Sequence, residues 1–414
     1  MMSEIKQIPQ YSKNILFILS DNSELQAKIA TEKGYEKFVR VQPQTMTKLL
    51  LAEDGAKVLA DSFAEQLALT QISPYNLGGG ESNSSMFFGR REIISHVVGR
   101  GNNNYIVIGS RQIGKSSLMK AIEREYVKNQ ERVHYISVGK GNFVRAMGRA
   151  LGIKVTSLEE LVAYISVQKE KVLFSLDEVD PFIKDEKESG YKVLDSFRKL
   201  SEEGSCNFIL AGYWELYFYT MFDNQSPLKN FGEAIELGAL EADACREMIT
   251  EPMQQLGLRF ESDEAINEIV ERTGQRPNLI AIICNNIIKS LGKEKRVVSM
   301  ADVQEAIKGK KVYELFESWK KLDEDEEASK LDKIIVYSMV EQGSFRLAEL
   351  VERLKALGLT VEMSRLETSL ARLKVSYTIE RKEEGVYGFM LPLFREYVLR
   401  DDYEVKLAGE VEGF

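Results

Sequence analysis

Cysteine and histidine are scarce in this chain: three and two, respectively, in 414 residues. Cys206, Cys245 and Cys284 lie 39 residues apart, with no Cys-x-x-Cys spacing and an odd count. A disulfide framework or a zinc site is therefore not expected, and buried apolar thiols are. His96 and His134 are too few for a histidine metal cage. Long apolar runs are also missing. The longest, Cys206 to Phe222, contains Glu215 and breaks into strand-like and helix-like pieces. No stretch reaches the ~18–20 uninterrupted apolar residues of a membrane helix. The opening MMSEIKQIPQYSKN has no apolar core of the signal-peptide kind, so a cytoplasmic protein with no membrane partner is expected. Basic excess is lacking as well: 55 Lys and Arg against 64 Asp and Glu give −9. That removes the simplest argument for general nucleic-acid affinity, though a local basic face remains compatible with it.

What is present is an ordinary globular composition, 44% apolar and 29% charged, long enough for roughly three domains at ~150 residues each. Residues 1–73 read as a small N-terminal α/β unit. A strand is expected over Asn14–Ser20, a helix over Glu24–Lys33, a strand over Lys37–Gln42 and helix over Thr45–Leu69 with Gly55 as a weak point. Such a unit buries little by itself and suits an interaction domain better than a catalytic one. Residues 74–85, with Pro74 and three consecutive glycines, read as a linker. From Met86 strands alternate with helices, which implies right-handed crossovers and a mainly parallel sheet over 86–238. A helical unit over 239–312, an acidic hinge over 313–330 and a C-terminal module over 331–414 complete the order.

The strongest signal is Gly109-Ser110-Arg111-Gln112-Ile113-Gly114-Lys115-Ser116, a match to G-x-x-x-x-G-K-[ST]. The strand Tyr105–Gly109 precedes it and the helix Ser116–Asn129 follows, which is the context a phosphate loop requires. Its backbone N–H groups, continuing through Ser117, would curl around a polyphosphate at a helix start. Lys115 would reach the β- and γ-phosphates, and the Ser116 hydroxyl would ligate Mg²⁺. The apolar run Val172–Leu176 ends in Asp177-Glu178, 62 residues after Lys115. Asp177 would hold the Mg²⁺ shell, and Glu178 would orient and deprotonate the attacking water. Asp180 reads as an exposed loop charge, with an acid supporting the metal site as the alternative. ATP, ADP and Mg²⁺ are the expected ligands.

Met86-Phe-Phe-Gly-Arg-Arg-Glu92 resembles the Phe-x-Gly-Arg box that precedes the phosphate loop in STAND-type and archaeal-type ATPases of the AAA+/ORC-like P-loop class. The resemblance runs from about 86 to 310. It includes the loop, the Leu-Asp-Glu box, the Leu237-Gly-Ala-Leu240 transition and Thr273-Gly-Gln-Arg-Pro277, which is similar to the class's Gly-x-Pro lid motif. It implies a P-loop NTPase sheet with a helical lid and a winged helix behind it. It also implies that Phe88, Gly89 and Arg90 border the nucleotide base, and that Arg276 and Pro277 contact nucleotide from the lid. Two departures stand out. The strand Asn207–Ala211 ends in Gly212-Tyr213 where a polar sensor is usual, and Asp223–Glu236 holds Lys229 but no arginine finger. Arg198 fits a solvated helix face better than a finger.

Three helices and a hairpin are expected over Leu331–Leu399. Arg365, Arg372 and Lys374 lie on the third helix, with Arg381 and Lys382 on the wing. Residues 331–400 hold 11 Lys/Arg against 10 Asp/Glu, net +1, and the wing carries Glu380, Glu383 and Glu384. Contact with a protein partner, a second copy or the rest of the chain is therefore the expectation. The rival is a DNA-associated ATPase whose winged helix binds DNA. The sequence as a whole reads as a slowly hydrolysing regulatory ATPase whose nucleotide state moves the lid and the C-terminal module.

Overall fold

The structure, a computed structural model, describes residues 16–18, 38–41, 43–66, 73–75, 84–101, 103–139, 143–168, 170–292, 295–382 and 385–414. At the N-terminal end, β1 (Leu16–Ile18) pairs in parallel with β2 (Phe38–Arg40). Two helices follow, α1 (Pro43–Leu51) and α2 (Gly55–Gln66). The expected helix over Glu24–Lys33 and the linker glycines lie outside the described residues. Ser73 and Tyr75, at the linker's entrance, are anchored. The Tyr75 hydroxyl donates to the carbonyls of Met248 and Ile249, and the Ser73 hydroxyl to Asn285.

After α3 (Arg91–Gly99) comes the α/β unit: β3 (Tyr105–Ile108), α4 (Lys115–Lys128), β4 (Arg132–Ser137), α5 (Phe143–Ala150), α6 (Leu158–Ser166), β5 (Val172–Asp177), α7 (Asp180–Glu188), α8 (Lys192–Glu202), β6 (Cys206–Gly212), α9 (Trp214–Met221) and β7 (Glu233–Glu236). All five strands run parallel in the order β4-β5-β6-β3-β7. Strands β3, β5 and β6 are buried along their whole length, so both faces must be apolar, and the continuous runs Tyr105–Ile108 and Val172–Leu176 satisfy that. On one face Phe174, Phe197 and Phe208 stack at 4.3–5.6 Å between centroids. This is the P-loop NTPase architecture expected from the alternation. Helices α5 and α6, between the second and third strands, are absent from the sequence reading.

The lid is α10 (Ala242–Gln255), α11 (Asp263–Arg272), α12 (Pro277–Ser290), α13 (Met300–Ile307) and α14 (Lys310–Phe316). Two-residue strands β8 (Arg259–Phe260) and β9 (Val297–Val298) clip it. Helix α12 is apolar almost all round and nine of its residues are buried, which makes it the lid's central helix. Pro277 at its first turn costs no hydrogen bond.

Beyond it, α15 (Glu326–Met339), β10 (Ser344–Arg346), α16 (Leu347–Ala356), α17 (Met363–Val375), β11 (Ile379–Arg381), β12 (Val386–Phe389), α18 (Pro392–Arg400) and α19 (Tyr403–Glu412) form the C-terminal module. The three helices and the hairpin are present. Strand β10 joins the hairpin in the order β10-β12-β11, and α18 and α19 are additional. One reading is corrected here. The acidic hinge read over 313–330 is largely helical: α14 runs to Phe316, a short 3-10 helix covers Glu317–Lys320, and α15 starts at Glu326, capped by the Asp325 carboxylate, which accepts from the N–H groups of Glu327 and Ala328. Acidic residues suit the positive end of a helix dipole, so a run of acids marks a helix start here.

Candidate functional site

The glycine-rich loop leaves β3 and enters α4 at the carboxyl end of the sheet, where parallel sheets place ligands. Gly114 stands at the N-cap of α4 with φ 106°, a conformation costly for any side chain. No side chain caps that helix, so its first-turn N–H groups face the loop. The Lys115 ammonium folds back and donates to the carbonyls of Gly109 and Ser110 at 2.8 and 2.9 Å. Burial pulls its pKa down to about 8, against the favourable field of Asp180 and Asp177 and with Arg111 and Arg276 adding repulsion.

Strand β6 separates the loop strand from β5, whose end carries the two acids. Asp177 is buried; one oxygen accepts from the Glu178 N–H at 2.9 Å and the other from the Tyr135 hydroxyl at 2.8 Å. Tyr135 thus holds one of the two expected metal ligands, and Ser116, the other, lines the same cleft as Asp177. Burial first, then the neighbouring Asp177, raises the Tyr135 phenol well above its ordinary value. A hydroxyl and a carboxylate brought together on two elements form an oxygen-only set of the kind that suits a hard divalent cation. Glu178 is exposed, has φ 58° and accepts a hydrogen bond from the Ser137 hydroxyl at 3.2 Å.

Asp180 corrects the sequence reading. Its carboxylate accepts from the N–H groups of Tyr213, at 2.8 and 3.0 Å, and Leu216, at 3.2 Å, and so caps the start of α9. Burial raises its pKa despite those bonds and Lys115. A carboxylate satisfied by backbone donors is a structural anchor, and it ties the end of β6 to the loop lysine.

The Phe88-Gly89-Arg90 box holds the junction between sheet and lid. The Arg90 guanidinium donates to the carbonyls of Ala239 and Gly238 at 2.7 and 2.6 Å, and its backbone N–H meets the Glu241 carboxylate at 3.2 Å. Gly89 has φ 66°, and a Cβ there would stand 2.3 Å from the Glu241 carboxylate. From the lid, Arg276 donates to the Arg111 carbonyl at 2.6 Å, and the Asn278 amide donates to Gln112. Burial lowers the Arg276 pKa to about 10. Pro277, Phe88, Arg90, Lys115, Asp177 and Glu178 all line one cleft of about 1370 Å³. Gly89, Gly109 and Ser110 lie outside its lining, as does Arg276, which reaches the loop backbone from behind.

The C-terminal module closes on this assembly. Arg372 is buried and binds Asp332 through Nε and Nη2 at 2.6 and 2.9 Å and Asp323 at 2.9 Å. Its guanidinium lies 5.0 Å from the centre of a Trp214 ring, while the Trp214 indole N–H donates to the same Asp323 at 3.1 Å. Lys374 pairs with Glu236 at 2.7 Å and Arg365 with Glu327 at 3.0 Å. The three cations read from the sequence as a candidate phosphate-contacting row are thus engaged within the chain, and Arg372 is inaccessible. Arg198 pairs with Glu202 four residues on, as a solvated helix face does.

Tyr135, Ser137, Trp214 and Asp323 were missed by sequence reasoning. The two-residue period of β4 placed Tyr135 and Ser137 on one face, and their register opposite Ser175 and Asp177 brings them to the acids. Trp214 and Asp323, 109 residues apart, left no local signal. The cysteines are all free and buried, with thiols pushed up to about 12 by desolvation. Among the described residues no metal-binding cluster of His, Cys, Asp and Glu occurs, and no helix is long and apolar enough to cross a membrane.

Among solved structures, the chain is similar to a Walker-type ATPase of Pyrococcus abyssi, with 16% identity and a TM-score of 0.56 over 78% of this chain and 98% of that one. It is also similar to the ORC2 protein of Aeropyrum pernix, solved as ADPNP-ADP complexes, with 16% identity and a TM-score of 0.50 over 79% and 98%. At that identity the likeness establishes the fold. No curated protein matches the chain. The family described as Novel STAND NTPase 1 (nSTAND1) matches residues 79–287, from just before the Phe-Gly-Arg box through most of α12. Because that match spans half of its length, the chain belongs to the Novel STAND NTPase 1 family, a family of P-loop NTPases.

Proposed function

We propose that the chain binds ATP with Mg²⁺ in the large cleft, hydrolyses it slowly, and uses the ATP or ADP state to set the position of its lid and its winged-helix-like C-terminal module. The observation that carries this reading is the convergence of all three parts on the loop. Arg276 of the lid holds the Arg111 carbonyl, and Arg372 of the C-terminal module holds Asp323 and packs on Trp214. Trp214 in turn follows the Tyr213 N–H bound by Asp180, beside Lys115.

Ser116 and Asp177 would hold Mg²⁺, which would neutralise phosphate charge. Lys115 would exchange its two carbonyl partners for phosphate oxygens, whose negative charge offsets the effect of burial on the ammonium. Glu178 would accept the proton of the attacking water, and its hydrogen bond from Ser137 orients that carboxylate. Slow turnover follows from the end of β6, where Tyr213 stands in place of the usual Asn, Thr or Ser sensor and its N–H is committed to Asp180.

The paired cations of α17 favour a protein partner, or a second copy, over DNA. Mass measurement in ATP, ADP and no nucleotide, with and without duplex DNA, tests the whole reading. A nucleotide-dependent change of mass or shape is expected without DNA. An identical species in all three nucleotide conditions refutes the switch, and a stable DNA complex at physiological salt refutes the choice of partner.

A further inference from the structure

Behind the loop lies a second, smaller cavity of about 50 Å³, where the loop, the lid and the C-terminal module meet. Arg111, Tyr213, Lys321 and Leu322 line both it and the large cleft and so form the wall between them. Four buried side-chain atoms of its lining residues have no hydrogen-bond partner: Ser110 Oγ, Tyr213 OH, Arg276 Nε and Trp319 Nε1. Ser110, Arg276 and Trp319 are only 3%, 9% and 5% exposed.

An unpartnered buried donor keeps the full cost of its lost hydration, so four around one cavity call for an occupant. All four can donate. Arg111, Arg276 and Lys321 add positive charge to the lining, and no carboxylate is part of it. A water needs ~10–15 Å³ of such space, so about 50 Å³ takes a few waters or one tetrahedral oxyanion. Waters would accept from the donors but would leave the buried guanidinium uncompensated, whereas an oxyanion satisfies both. The lowered pKa of Arg276 has burial as its cause and points the same way.

We propose that this cavity binds a small oxyanion of the phosphate or sulfate class, at a site separate from the nucleotide cleft. An ion there would bridge the loop through Ser110, the lid through Arg276 and, through Trp319, the short segment between α14 and α15, and so favour the arrangement in which the three parts meet.

The phosphate could instead enter the glycine-rich loop, so the test uses the full-length Lys115→Ala chain. Inorganic phosphate is titrated by calorimetry, against chloride at matched ionic strength. One saturable site is expected. Adding Trp319→Phe, which removes the N–H and keeps the ring, should weaken it about tenfold, the scale of a lost bond to a charged group. Lys321→Gln should weaken it about threefold, with a larger effect at low salt. Trp319→Phe in the chain that keeps Lys115 should leave ATP affinity unchanged, which also reports that the variant folds; if it does not fold, Trp319→Leu, at a residue that lines the small cavity and not the large cleft, decides. Absence of saturable phosphate binding in the Lys115→Ala chain overturns the proposal, as does binding that the folded variants leave unaltered. Tight ATP binding by Lys115→Ala is a separate result: it refutes the loop assignment and leaves this measurement to be read by the two rim variants.

Discussion

Lys115 carries the most specific expectations at the residue scale. Its replacement by alanine removes the cation from a buried phosphate site, and ATP affinity should fall at least about tenfold in an equilibrium titration. Its pH dependence has a definite sign. Free, it titrates near 8; bound phosphate raises that value, so binding takes up a proton once the pH exceeds 8. Affinity should therefore decline about tenfold between pH 7 and pH 9, and the Lys115→Ala chain should lose this component. Without ligand the sign reverses for folding: a lysine lowered in the folded state contributes stability that grows as pH rises from about 8 towards its unfolded value. Glu178→Gln should retain ATP binding and slow single-turnover hydrolysis by about 10²–10⁴-fold, because an amide cannot accept the proton. Unchanged turnover would remove Glu178 from the base role. Asp180, engaged by the N–H groups of Tyr213 and Leu216, is no ready substitute.

At the scale of elements, the contact of α9, α15 and α17 deserves the sharpest test. Arg372→Ala leaves Asp332, 1% exposed, without its cation, and breaking such a buried pair costs about 3–5 kcal/mol. Arg365→Ala removes an exposed pair with Glu327 and should cost no more than about 1 kcal/mol. Urea midpoints of the full chain distinguish them; equal shifts would mean that the Arg372 cluster does not hold the C-terminal module. The same element shows why sequence left open whether α17 meets DNA phosphates or the rest of the chain. Helical period places Arg365 and Arg372 seven residues apart on neighbouring positions of one face, but only packing determines whether that face meets solvent or Asp332.

For the whole molecule, the net charge of −9 and the engaged cations limit how many phosphates a duplex could have neutralised. Each contributes about −0.9 to the slope of log K against log salt, and a dedicated reader with 6–10 contacts would show roughly −5 to −9. The full chain should bind duplex DNA at ~10⁻⁴–10⁻⁶ M or more weakly at physiological salt. Replacing Arg365 and Arg372 by glutamate should alter ATP turnover more than DNA affinity, since it opens the contact with Trp214 and Asp323. Submicromolar binding with a steep salt slope, erased by those two substitutions, would put DNA first.

The phosphate loop, the acids at the end of β5 and the parallel sheet were legible from sequence because their physics is local. A glycine at φ 106° before a helix, an apolar run buried on both sides and a helix start without a capping side chain each leave a pattern within a dozen residues. Tertiary structure alone decided what lies between distant segments. It turned Asp180 from a loop charge into the cap of α9, made the end of the acidic hinge read over 313–330 the start of α15 facing Arg372, and set the Tyr135 hydroxyl on Asp177. It also enclosed Ser110, Tyr213, Arg276 and Trp319 around one cavity. A charge's partner depends on which face packs where, and that choice is made by burial summed over the whole chain, which no short window of sequence contains.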